Sequence, residues 1–590
     1  MYPTRLERLF SNLSQKCFAT RTISASFVVL YSSMLASVAL ADGHSKYPNS
    51  VSATRHMVSS AHPLASQAGL NVLENNGTAM DAAVAVQMML NLVEPESSGI
   101  GGGAFLLYWD NSEQKLVTYD GREKAPASAT PEYFLKEDGE PMTWPDAVPG
   151  GLSVGVPGTV KLLETAHAEH GLRPWDSLFI ESIQQAEQGF EISDKLAASI
   201  ARASDRGLTL FDTTRKYFFN EDGTPRAAGT VIKNPQFATT LRKLAAEGSE
   251  PFYKGAIAEN IVATVTFASI NPGQMTLDDM AAYEVIKREP VCFDYREYNV
   301  CGMGPPTSGA LTMGQILGIL SHFDLADMGP GEEAWHLYIE AAKLAYADRG
   351  MYMADSDFVD IPEGLLNADY LQSRAELIKT SSTMGEAEAG TPPWKEAKLR
   401  APDLQAERAG TSHFSIIDRF GNMVSMTTTI ESGFGSKLMV DGFLLNNEMT
   451  DFSFQPERDG KPVANRVEGN KRPRSSMSPT MVLQHGHPLL LTGSPGGSRI
   501  INYTTQSVIA ILDWKMDPQD AVNMGHVVNR NGKTDLEEGT EAIKLQEALE
   551  ALGHEVNIRP LNSGLHTILI DDFHYYGAAD PRRAGIAVGR

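Results

Sequence analysis

The chain has 590 residues, 42% of them hydrophobic, with Gly and Pro scattered along it, which is ample material for a large folded core. Its 50 Lys and Arg against 73 Asp and Glu leave a formal charge of −23 with no Lys/Arg-rich run. A nucleic-acid partner is therefore not expected, because neutralising phosphates takes a basic stripe.

Arg5, Arg8, Lys16 and Arg21 precede an uncharged stretch over residues 22–41 that ends in Ala39-Leu40-Ala41 before Asp42. This reads as a secretory signal peptide over residues 1–41 with an Ala-x-Ala cleavage site, and hence as an exported protein, periplasmic or secreted. The alternative is an uncleaved anchor of about membrane-spanning length, which Ser24, Ser26, Ser32, Ser33 and Ser37 weaken. No later stretch is long and apolar enough to span, so no stable membrane anchor is expected. The apolar run 80–92 suits a buried helix. The glycine run Ser98-Gly99-Ile100-Gly101-Gly102-Gly103 then opens a strand, and residues 104–109 and 116–119 form a hairpin about Asp110-Asn111-Ser112. Cys292 and Cys301 flank a second hairpin whose turn is Arg296-Glu297. That brings the two thiols opposite each other, either as a disulfide in an oxidising compartment or as two free, partly buried thiols. The third cysteine, Cys17, falls in the signal segment.

Residues 333–349 carry Leu337, Ala341, Leu344 and Ala345 at helical spacing. Residues 381–410, with Gly385, Gly390, Pro392, Pro393 and Pro402, read as an exposed flexible linker. Strands follow at 411–417 and 423–430 across the turn 418–422. A strand at 488–492 leads into Gly493-Ser494-Pro495-Gly496-Gly497-Ser498, and a helix follows over 499–512. Helix and strand mix throughout with hairpin-length links, so the fold class is α/β or α+β, layered, with much antiparallel pairing.

The segment Gly410-Thr411-Ser412-His413 carries the chemistry. A strand that begins at a threonine after a linker is what an N-terminal nucleophile needs in its precursor. Cutting at Gly410-Thr411 frees an α-amine beside the hydroxyl it can activate. The first glycine run follows a helix and opens a strand, the reverse of a dinucleotide fingerprint, so it reads as a tight backbone turn and no cofactor is expected. The second follows a strand and precedes a helix. Its N–H groups, Gly496 and Gly497 above all, either stabilise an oxyanion or belong to a plain loop. No Gly-x-Ser-x-Gly, His-Glu-x-x-His or EF-hand pattern is evident, and no metal site is expected. His413 reads as structural, turned by strand alternation to the face opposite Thr411.

Several stretches resemble the γ-glutamyltransferase (glutathione hydrolase) family in the family's order. They are Glu94-Pro95 to Gly103, Gly121-Arg122-Glu123-Lys124-Ala125-Pro126, Pro305-Pro306-Thr307-Ser308-Gly309, Ala345-Tyr346-Ala347-Asp348-Arg349, Gly410 onward, Asn446-Asn447-Glu448-Met449-Thr450-Asp451-Phe452, Lys471-Arg472-Pro473-Arg474-Ser475-Ser476-Met477-Ser478-Pro479, Gly493 to Ser498, and Asp580-Pro581-Arg582-Arg583. The resemblance implies an α+β fold, a four-layer αββα sandwich of the N-terminal-nucleophile type. It would come from a self-cleaved precursor with a large subunit over 42–410 and a small catalytic subunit over 411–590, paired as a heterodimer. It further implies Thr411 as nucleophile, Thr429 as its orienting partner and Gly496 and Gly497 as the oxyanion hole. Arg122, Ser475 and Ser476 would hold the α-carboxylate of a small-molecule γ-glutamyl substrate such as glutathione, and Asp451, Glu448 and Glu431 its α-ammonium. Without the resemblance, Arg122 reads equally as a surface ion-pair residue and Asp451 as a turn or helix cap. Residues 453–469, with Arg458-Asp459-Gly460 at the tip, imply a lid that is absent or shortened. Two other functions stay open: a glutaryl (cephalosporin) acylase of the same fold, and a non-catalytic exported γ-glutamyl-binding protein.

Overall fold

The computed structural model describes residues 46–395, 398–405 and 410–590. The signal segment and Cys17 lie outside them.

Fourteen strands build two seven-stranded sheets, and each expected hairpin is found within a residue or two of its expected bounds. They are β1 (Val51–Ala53), β2 (Met57–Ser60), β3 (Gly103–Asp110), β4 (Lys115–Gly121), β5 (Ile286–Arg288), β6 (Val291–Tyr295), β7 (Tyr298–Gly302), β8 (Thr411–Ile417), β9 (Met423–Thr429), β10 (Thr480–Gln484), β11 (His487–Thr492), β12 (His566–Asp571), β13 (His574–Ala579) and β14 (Ile586–Gly589). One sheet runs β14-β2-β8-β9-β3-β4-β5 and the other β1-β13-β12-β11-β10-β7-β6. Every pairing within them is antiparallel.

The period of two divides each strand between two cores. Leu106, Phe414, Ile416, Val424 and Met426 face a helical layer that includes α1 (Pro63–Glu74), α2 (Ala79–Val93) and α3 (Thr159–His170). Phe105, Leu107, Trp109, Ile417 and Met423 face the other way, onto Cys301, Met481, Leu491 and Ile568 of the second sheet. That sheet's far side, with Val300, Val482, Leu490 and Leu569, packs on α4 (Gly309–Leu320), α5 (Glu332–Tyr352) and α6 (Ile500–Leu512). The order of layers is helix, sheet, sheet, helix. Because both faces of β8 and β9 are covered, all their residues are buried. The central helix of the first layer, α2, is buried at every position, which is why its sequence shows no polar face.

Tyr47–Arg590 forms one structural unit in which both sheets are built from strands on either side of Gly410. Cys292 and Cys301 are register partners on β6 and β7 and are joined as a disulfide. Among the described residues no helix is long and apolar enough to cross a membrane.

Candidate active site

The β8–β9 hairpin sets the first pair of groups. Five residues link the strands, so Ile417 faces Met423, and six steps further back Thr411 faces Thr429. Their hydroxyl oxygens are 3.3 Å apart. The Thr429 hydroxyl donates to the carbonyl oxygen of Gly410 at 2.8 Å and accepts the Glu431 backbone N–H at 2.8 Å. A hydroxyl has one hydrogen. Thr429 spends its own on Gly410, so in the contact between the two threonines Thr411 is the donor. The glycine run before β3 lets the chain close against this point. A Cβ on Gly102 would lie 1.9 Å from the Thr429 carbonyl oxygen, and one on Gly101 2.1 Å from that of Leu444. Close approach of backbones, rather than a positive φ, is what requires glycine here.

Beside the hairpin lies a cavity with about 230 Å³ of empty space, lined by Arg122, Thr411, Thr429, Glu431, Glu448, Asp451, Ser475, Ser476, Met477, Gly497 and Ile500. Nine of the ten residues expected to act on substrate meet there. Gly496 stands one residue back, at φ 143, with the Tyr503 ring where a Cβ would go. Gly497, at φ 61, begins the turn that leads into α6.

Arg122 follows β4 and is fully buried. Its Nε donates to the Pro473 carbonyl at 3.1 Å. Nη2 donates to Asp451 Oδ2 at 2.7 Å and to the Arg474 carbonyl at 3.0 Å, and Nη1 donates to Glu448 Oε1. Glu123 Oε2 is 3.6 Å from Nη1. One guanidinium thus serves three buried carboxyls. Burial raises the Glu448 and Glu123 carboxyls above the ordinary range, and the pull of Arg122 only partly offsets it. Conversely the three acids outweigh burial and hold Arg122 above its usual value. On the other wall, Ser475 Oγ accepts the Met477 N–H at 3.1 Å and Ser476 Oγ accepts from Arg349 at 2.6 Å.

The structure corrects two expectations. His413 is two residues from Thr411, and a strand's period of two puts both on the same face, between the sheets. Its ring contacts Thr427 Oγ1 at 2.9 Å and Ser415 Oγ at 3.3 Å, and burial lowers its pKa to about 3. It is structural, as expected, but not for the reason given. The described part of residues 381–405 is irregular, yet its end is anchored by buried Ala401 and Asp403. Ala401 lies against Val463, Asp403 pairs with buried Arg474 at 3.0 Å, and Gln405 bonds the Thr450 carbonyl and the Phe454 N–H on either side of Asp451. Residues 453–469 form a small hairpin, Glu457–Arg458 against Lys461–Pro462, with its turn at Asp459 and Gly460.

Sequence reasoning gave no role to Glu123 or Arg349. Both stand in stretches that resemble family landmarks, and that was the signal for each. A possible cation site, buried His336, Glu340 and His554, lies elsewhere. The Lys343 ammonium sits 2.8 Å from Glu340 Oε1 and 3.4 Å from His554 Nδ1, so that place is already taken by a positive charge.

A sequence profile of the gamma-glutamyltranspeptidase family matches residues 65–590. The chain belongs to the gamma-glutamyltranspeptidase family. The glutathione hydrolase proenzyme of Bacillus subtilis (strain 168) is 38% identical over 547 residues, 90% of this chain and 91% of that protein. Among solved structures, a cephalosporin acylase from Bacillus halodurans superposes with a TM-score of 0.82 at 28% identity, covering 94% of this chain and 99% of its own. The gamma-glutamyltranspeptidase of Helicobacter pylori matches with a TM-score of 0.53 at 35% identity, over 55% of this chain and 92% of its own. The acylase shares this fold over nearly the whole of both chains.

Proposed function

We propose that this chain is a γ-glutamyltransferase working as a glutathione hydrolase, made as a precursor that cuts itself between Gly410 and Thr411. The observation that carries the reading is the cavity in which a threonine that begins a strand meets one guanidinium and a set of carboxylates.

For self-cleavage, Thr411 Oγ1 attacks the Gly410 carbonyl carbon. The donor from Thr429 already rests on the oxygen where negative charge develops. The C–N bond breaks, the nitrogen takes the proton, and the resulting ester is hydrolysed by water. The products are a Gly410 carboxylate and a Thr411 with free hydroxyl and amine. In turnover that amine takes the hydroxyl proton as Oγ1 attacks the γ-glutamyl carbonyl. The amine leaving group departs, and water or an amino acid or peptide then takes the γ-glutamyl group from the ester. Gly496 and Gly497 are assigned the oxyanion.

Recognition of the glutamyl head is an exchange of counter-ions. The Arg122 donors rest on Glu448, Asp451 and backbone carbonyls. An incoming zwitterion brings an ammonium for Glu448, Asp451 and Glu431, and a carboxylate for Arg122, Ser475 and Ser476. A glutaryl group has the carboxylate alone. It would draw on Arg122 and leave the acids without a positive partner, which favours the γ-glutamyl over the acylase reading. Residues 42–410 and 411–590 are read as the two subunits of a heterodimer, and 1–41 as an export signal; the Cys292–Cys301 disulfide suits an oxidising compartment.

The test is N-terminal sequencing of the smaller product, expected to begin at Thr411, with rates on γ-glutamyl and glutaryl anilides. A fully active chain that stays in one piece rejects the proposal, and a faster glutaryl anilide turns it to the acylase.

A further inference from the structure

We propose that Arg349 is a positioning residue for substrate selection: it turns Ser476 into a hydrogen donor for the substrate's α-carboxylate and, through Ser308, holds the backbone of Ser475 beside it. This rests on the γ-glutamyl reading above.

Arg349 lies in the last turn of α5 and is 5% exposed. Its Nη2 donates to Ser476 Oγ at 2.6 Å and its Nε to Ser308 Oγ at 2.8 Å. Ser308 in turn grips the neighbouring serine's backbone. Its hydroxyl and its N–H both donate to the Ser475 carbonyl at 2.8 Å, and the Thr307 hydroxyl beside it donates to the Met477 carbonyl at 2.7 Å. The Ser475 N–H donates to the Pro306 carbonyl at 3.0 Å. One guanidinium therefore spans the side chain of Ser476 and, through Ser308, the backbone of Ser475.

The polarity of the two hydroxyls follows from counting hydrogens. A serine hydroxyl has one hydrogen and two lone pairs. Ser476 Oγ receives an N–H from Arg349, so its own hydrogen must point to some other acceptor. Ser475 Oγ receives the Met477 N–H and is placed the same way. Both serines line the cavity. A carboxylate offers only lone pairs, so it is bound by hydroxyls that donate and repelled by hydroxyls that accept. A charged donor behind Ser476 also polarises its O–H and strengthens the bond it makes in front. The Arg122 donors are shared with three carboxyls, so a second, indirect source of positive polarity matters for holding the substrate's negative end.

The test compares γ-glutamyl-p-nitroanilide with 4-aminobutanoyl-p-nitroanilide, which differs only in lacking the α-carboxylate. Arg349→Met is expected to raise KM for the first by about tenfold to a hundredfold, the range of one charged hydrogen bond, with kcat changed little. On the second substrate kcat/KM should stay as in the wild type. Arg349→Met combined with Ser476→Ala should lose less than the sum of the two single losses, because both remove the same bond. Where Arg349→Met yields no folded, cut protein, Arg349→Lys and Ser308→Ala give the same readout, and each should narrow the ratio between the two substrates. Equal losses on both substrates, or an unchanged ratio, overturn the proposal. If the wild type itself shows no preference for the carboxylate-bearing anilide, the γ-glutamyl reading fails instead.

Discussion

Thr429→Val keeps the shape and the strand propensity of the residue and removes its hydroxyl. Three contacts go with it: the donor to the Gly410 carbonyl at 2.8 Å, the acceptor for the Glu431 N–H at 2.8 Å, and the 3.3 Å contact to Thr411. The first acts on the oxygen that becomes negative when the chain is cut. Losing such a donor costs about 3 kcal/mol of transition-state stabilisation, or a slowing of about a hundredfold. The second leaves a buried N–H unsatisfied and lowers stability by roughly 1–3 kcal/mol. The rate must therefore be measured well below the variant's melting temperature. The assay is a time course on a denaturing gel, following full-length precursor into two fragments. Thr429→Ser keeps the oxygen and should cut within about tenfold of the wild type, an allowance of about 1.4 kcal/mol for rotamer freedom. A valine variant that cuts as fast as wild type would show that the hydroxyl takes no part. A serine variant as slow as valine would show that packing, not the donor, was lost.

Gly102→Ala drives a Cβ to 1.9 Å from the Thr429 carbonyl oxygen. It should cost about 2 kcal/mol in urea unfolding and slow scission on the same gel; unchanged values would mean the two backbones separate freely. Opening Cys292–Cys301 with a Cys292→Ser, Cys301→Ser variant releases a short loop worth about 2.5 kcal/mol by chain entropy. The urea midpoint should fall while anilide turnover stays, and an unmoved midpoint counts against it. His413 has its pKa lowered to about 3 by burial, so the unfolded chain takes up a proton near its ordinary value that the folded chain refuses. Its contribution is intact above about pH 6.5 and is lost as pH falls below that, by about 1.4 kcal/mol per unit. Between about pH 6.5 and pH 5, wild type should lose about 2 kcal/mol more than His413→Gln, measured by urea unfolding. Equal losses would place the ring in contact with water.

The local parts of the site were legible because they follow from spacing. The alternating β8 and β9 residues and the five-residue turn between them suffice to oppose Thr411 and Thr429, and Arg296-Glu297 suffices to oppose Cys292 and Cys301. The assignment of Arg122, Asp451 and the two serines came from family motifs, since nothing local brings together residues 329 positions apart. Long-range side-chain contacts escaped altogether. A linker rich in Pro and Gly reads as exposed, and only the fold shows that Asp403 meets Arg474. Arg349 ends a stretch that resembles a family landmark, but its bond to Ser476 crosses 127 positions. His413 was misplaced by a slip in counting rather than by missing information.

The mixing of early and late strands in both sheets bears on when the proposed self-cleavage can take place. The strand that begins at Thr411 lies between β2, from before Gly410, and β9, from after it, so the proposed cut falls inside a sheet that draws on both segments. On the proposed reading, a severed peptide bond would be a record of assembly, written once by each molecule on itself.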